Sequence, residues 1–71
     1  MTRRRHTKLV REGQYLAEVE VELLDTGEGG SPYLSLDDAE KLDDVRAALR
    51  AGNLKAAAKL ARVFRLTLIT A

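Results

Sequence analysis

The 71-residue chain has no cysteine and no tryptophan, and only one proline, one methionine and one histidine. Without cysteine there is neither a disulfide nor a thiolate metal site. Aromatic residues are few, two tyrosines and one phenylalanine, so a stacking platform for single-stranded nucleic acid has no support. No apolar run approaches the ~18 residues needed to span a bilayer. The basic start MTRRRHTK leads into no apolar signal-peptide core, so export is not expected and a cytoplasmic bacterial-type protein is. A domain this short buries only about 60% of its unfolded surface. With no covalent staple, it must pack economically or borrow core from a second copy, which makes a homodimer one expectation.

Catalytic and cofactor chemistry is equally thin. His6 stands in a cationic run, and Ser31 and Ser35 fall in a loop and at a helix start. A Ser–His–Asp site would need these to converge on very little scaffold. DTGEGGSP, residues 25–32, is glycine-rich but lacks the Lys-Ser/Thr that ends a phosphate-binding loop. It also places glycine where a calcium loop needs its later ligands. Asp37, Asp38, Glu40, Asp43 and Asp44 are read as solvated helix acids, not as a metal cluster. The expectation is therefore no enzyme, no cofactor and no metal.

What the chain does have is segregated charge. Residues 1–11 carry five cations and no acid, residues 12–44 carry all eleven acids and a single cation (Lys41), and residues 45–71 carry six cations and no acid. Such blocks either present a basic surface to an acidic partner or neutralise one another inside one fold, and strand pairing favours the second.

The hydrophobic pattern predicts one domain over residues 1–71, with residues 1–5 free to fray. Tyr15, Ala17, Val19, Val21 and Leu23 alternate with Leu16, Glu18, Glu20, Glu22 and Leu24, the period of a strand with one buried face. Glu12-Gly13 serves as a two-residue turn back to a first strand, in a register that sets Arg5 opposite Glu20 and Arg3 opposite Glu22. Ser35 reads as an N-cap, with Asp38 as the weaker partner of a capping box. Ala39, Leu42, Val45 and Leu49 form a helical stripe. Gly52 ends that helix and Asn53 caps a second from Leu54 to Arg62. The run Val63–Ile69 then alternates as a last strand with Phe64, Leu66 and Leu68 inward and Arg65 on the outer face. The predicted fold is α+β, ββααβ: a three-stranded antiparallel sheet covered on one face by a helical hairpin.

The corner LRAGNLKAAAKLARVF, residues 49–64, invites comparison with a helix-turn-helix unit and with half of a tetratricopeptide repeat. Against the first, Asn53 occupies a normally apolar position, a third helix is replaced by a strand, and few side chains suit base edges. Against the second, a lone repeat has no neighbours to stack on. The alanines are accounted for by close helix packing. Lys55, Lys59 and Arg62 form a stripe that packing does not explain.

Taken with the EGQY, AEV and VEL segments of the second strand, the run SPYLSL, the ALR-G helical pair and the closing ARV-LT resemble a group of short bacterial proteins that are mostly uncharacterised. The resemblance covers nearly the whole chain from Glu12 onward. Some proteins of this kind are suspected partners or antitoxins of neighbouring toxins, which implies an interaction role and assigns no site residues. Two positions depart from the pattern: Gly30 stands where an aromatic is expected, and Leu68 where proline is expected. The second leaves the last strand with one more backbone donor for pairing with another chain. The expected function is thus that of a small protein-binding regulatory or antitoxin-like partner. Candidate contacts are Arg50, Lys55, Lys59 and Arg62, with Tyr33 as an exposed aromatic. Nucleic-acid binding through the basic second helix and a structural homodimer stay open as alternatives; a membrane partner is not expected.

Overall fold

The computed structural model describes residues 2–25 and 30–70. Two long strands open the chain, β1 (Thr2–Glu12) and β2 (Tyr15–Asp25). A two-residue strand β3 (Tyr33–Leu34) follows, then helices α1 (Leu36–Arg50) and α2 (Leu54–Leu60), and last β4 (Arg62–Arg65). The ββααβ order holds, with β3 added, and the architecture is an antiparallel sheet packed against two helices. Residues 2–5 belong to β1. Of the expected 25–32 loop, residues 26–29 lie outside the described residues.

β1 and β2 form a hairpin paired along their full length, from Glu12 opposite Tyr15 to Thr2 opposite Asp25. The turn is Gly13-Gln14, one residue later than the sequence suggested, and the register shifts by two: Arg5 faces Glu22 and Thr7 faces Glu20. Glycine takes the first central position with φ of 60° while Gln14 keeps a negative φ, the type II′ pattern whose twist suits a two-residue hairpin. A slip of two residues leaves every side chain on its predicted face. Ala17, Val19 and Val21 are accordingly buried, and Glu20 and Glu22 are exposed.

Ser35 caps α1 as expected, accepting from the Asp38 N–H at 3.2 Å. Gly52, at φ 72°, ends it in a Schellman turn: the Gly52 N–H reaches the Leu49 carbonyl at 3.1 Å and the Asn53 N–H the Ala48 carbonyl at 2.8 Å. Asn53 then caps α2 by accepting from the Ala56 N–H at 3.1 Å. The core is small: Val10, Ala17, Val19, Val21, Val45, Leu49 and Ala57, with Leu42, Leu34, Tyr15 and Val63 packed at its margin.

The last strand departs from its prediction. α2 stops at Leu60, and β4 begins at Arg62 with Val63 opposite Ala17. Val63 therefore faces the helices, while Phe64 and Leu66 sit on the opposite face and stay exposed. Ala17 on β2 and Ala57 on α2 are both fully buried in the core at whose margin Val63 packs. The inward position goes to Val63, and Phe64 stays 40% exposed on the other face. Arg65 consequently lies on the helix side over Tyr15, its guanidinium 5.8 Å from the ring centre. Arg62, not Arg65, takes the outer-face position beside the acidic strand, 3.8 Å from Glu18.

Candidate functional site

Among the described residues, β2 is the only strand with neighbours on both sides. On one side lies β1; on the other, β4 pairs with its first half at Tyr15–Glu18 and β3 with its last residues, Leu23 and Leu24. Between them the β2 edge faces α1 instead of a strand. There the Glu22 N–H donates to Asp38 Oδ2 at 2.8 Å, and Lys41 Nζ donates to the Glu20 carbonyl at 2.8 Å. Asp38 is thus spent on the sheet edge rather than on closing a capping box. An acid in the first turn also suits the helix dipole.

These two bonds fix which backbone groups face which way. Strand residues turn their N–H and C=O alternately to the two edges. Glu20 and Glu22 face α1, so the odd-numbered residues of β2 face β1. Across the antiparallel register, the even-numbered residues of β1 complete those bonds. Arg3, Arg5, Thr7, Leu9 and Arg11 then turn their N–H and C=O to an edge that, among the described residues, has no strand beside it. Just past β4 the Leu66 N–H donates to the Gln14 carbonyl at 2.6 Å. Even residues therefore face β2 there, and Val63 and Arg65 face the open side.

The charge blocks meet largely inside the fold. Glu12, well shielded at the turn, receives Arg50 at 2.8 Å and Arg46 at 3.8 Å. Arg3 lies 3.9 Å from Glu22 and Arg4 lies 4.0 Å from Asp25. The Thr7 hydroxyl donates to Glu20 Oε1 at 3.2 Å. Two of the expected contact residues are therefore engaged within the chain: Arg50 on Glu12, and Arg62 between Glu18 and the Phe64 ring, whose centre is 5.5 Å away. Lys55 and Lys59 are exposed on α2 and make no ion pair among the described residues. Tyr33 is half exposed in β3, opposite Leu24 and remote in sequence register from the β4 side. Lys59 and Arg62 line one hollow with Glu18 and Glu20, while Arg50 lies against Glu12 and Tyr33 lies on β3.

Sequence reasoning passed over two features. One is the unpaired β1 edge, where Arg5, Lys8 and Arg11 make no ion pair among the described residues. Its signal was present in the acid-free block of residues 1–11. The other is the outer sheet face, where Leu9, Leu16, Phe64 and Leu66 lie together without a covering layer. Among the described residues no three His, Asp or Glu gather as a metal-ligand set. No described helix is long and apolar enough to cross a membrane. Compared with protein-family models, curated proteins and solved structures, the chain matches none.

Proposed function

We propose that this chain is a non-enzymatic, protein-binding regulatory protein that takes an acidic, extended segment of another protein along the open edge of β1. The observation that carries this reading is the edge itself. Five residues of an eleven-residue strand offer unpaired N–H and C=O groups, and three of the five are arginines. Main-chain pairing would supply affinity and alternate side chains specificity. The cations repel a second basic strand and admit an acidic one, so an edge that resists unselective pairing becomes selective. The suspected antitoxin-like role is one form such a partner protein takes.

The nucleic-acid reading rests on Lys55 and Lys59. α2 has only seven residues and offers few groups suited to base edges.

A labelled peptide alternating glutamate and valine serves as the probe. The expected result is salt-sensitive binding that slows amide exchange at Arg5, Thr7 and Leu9 and falls at least tenfold in Arg5→Glu/Lys8→Glu. Absence of binding at low ionic strength, or binding without protection of those amides, overturns the reading. So does retardation of a DNA duplex that is lost in Lys55→Glu/Lys59→Glu, which instead supports the nucleic-acid alternative.

A further inference from the structure

β4 ends with its pairing at Arg65, but the chain runs on past it. After Leu66 bonds to Gln14, the β1–β2 turn carries the neighbouring chain away to the far side of the sheet. Residues 67–70 continue with no strand beside them among the described residues. Leu68 and Ile69 are 86% and 90% exposed, far more than an apolar pair in a self-contained domain needs to be. We infer that two copies of this chain join through β4 and residues 66–70, antiparallel about a two-fold axis at Leu66.

The register follows from alternation and charge. Residues directly opposite across a two-fold in one sheet share a face, so a residue of even number meets one of even number. The odd-numbered residues of the segment turn their N–H and C=O outward, so Arg65 and Thr67 exchange backbone bonds with each other across the axis, as do Val63 and Ile69. Leu66 meets its own mate in a non-hydrogen-bonded pair, and Phe64 meets Leu68. Every apolar residue from 63 to 69 then faces an apolar one, and no like charges are opposed. A register centred on Arg65 would set two guanidinium groups against each other. The same operation on β1 would set arginines and lysine against one another, so β1 is not the self-pairing edge.

Size supports a second copy as the occupant. A folded monomer of 7.9 kDa is expected to expose about 4,400 Å², whereas this chain exposes 5467 Å². The excess, about 1,000 Å², is on the scale of the ~800 Å² each partner contributes to a standard interface. The Cα radius of gyration, 14.3 Å, likewise exceeds the ~11 Å expected for this length. Joined this way, Phe64, Leu66 and the partner's Leu68 form one apolar patch with Leu16 and Leu9 on the outer sheet face.

Sedimentation equilibrium of the full chain is expected to give twice the 7.9 kDa mass, little changed by salt. Leu66→Cys places two thiols at the axis, with Cα atoms about 4.5 Å apart, and should oxidise to a disulfide-linked dimer. Thr67→Cys, whose mate would lie diagonally across the axis, should do so at least tenfold more slowly. Thr67→Pro removes an N–H that faces only the open edge and should yield a monomer with an unchanged far-ultraviolet spectrum. A native chain that stays monomeric at all concentrations overturns the proposal, as does equal crosslinking at 66 and 67, or a dimer that survives Thr67→Pro. Should Thr67→Pro unfold the chain, the ratio of crosslinking rates in the two cysteine variants decides alone.

Discussion

β1 turns Arg3, Arg5, Thr7, Leu9 and Arg11 to open solvent along a strand that β2 supports over its full length. β4 turns Val63 and Arg65 outward from a strand of four residues, after which the chain runs past the start of β2. Both are sheet edges with unsatisfied backbone groups, yet their chemistry differs. The first is charged at most of its edge-facing positions, which excludes copies of itself. The second is apolar at alternate positions and complementary to itself. An open edge is thus not one kind of feature: the side chains flanking its free N–H groups determine what can pair there.

The comparison depends on β2 and α1 holding both edges in place, and Leu49→Ala should break it altogether. Leu49 is 3% exposed in a core of seven buried residues. Truncation of such a leucine costs about 2–5 kcal/mol, comparable to the whole stability a single small core supplies. Denaturant titration followed by circular dichroism should show a largely unfolded chain, with both edges lost together.

A proline pair separates the two sides of β1. Lys8 is an even residue whose N–H pairs with β2, so Lys8→Pro should cost about 2 kcal/mol or more through the lost bond and its stranded carbonyl. Thr7 is next to it in sequence, but its N–H faces the open edge. Thr7→Pro should cost about 0.5 kcal/mol, as for an ordinary surface change. Equal losses in the two variants, measured by urea unfolding, would refute the alternation on which both edge assignments rest. Asp38→Ala tests the remaining edge, where α1 stands in for a strand. Losing the 2.8 Å bond to the Glu22 N–H should cost about 1 kcal/mol. Amide exchange should quicken at Glu22 while that of the β1 ladder stays slow.

Much of this fold could be read from local pattern. The alternation of Tyr15 to Leu24, the Leu42–Val45–Leu49 stripe and the Ser35, Gly52 and Asn53 caps each express a period or a backbone requirement that acts within a few residues. The misreadings arise where the deciding contact is distant in sequence. The hairpin register hung on whether glycine takes the first or the second turn position, a choice the flanking residues leave nearly balanced. β3 is two residues long and has no period to detect. Phe64 looked like a core residue because it is large and apolar. Only the pairing of Val63 with Ala17, far apart in the chain, shows that the inward position goes to Val63. The same distance effect governed the site: the stripe of Lys55, Lys59 and Arg62 was visible on one helix, but Glu18 and Glu12, which engage Arg62 and Arg50, come from the hairpin.

The smallest expected effect bears on why β4 is unguarded. Arg65 is the only cation among its outward-facing residues, and its guanidinium folds over Tyr15 instead of standing along the edge. Tyr15 registers that placement. Its phenol is held below the ordinary tyrosine value of 10.0, chiefly by the hydrogen bond from Gln14 and next by Arg65. An acid whose folded pKa is lowered contributes stability above its unfolded pKa, and that contribution is lost as pH falls through the folded value. The window therefore lies just below pH 10, with the folded chain releasing the proton first. In a Tyr33→Phe background, where Tyr15 is the sole phenol, Arg65→Gln should move the ultraviolet phenolate transition upward. It should stop short of a free tyrosine, because Gln14 still donates. An unmoved transition would mean that the Arg65 charge lies elsewhere. It would then be available to guard the β4 edge as the arginines guard β1, and the contrast between the two edges would narrow.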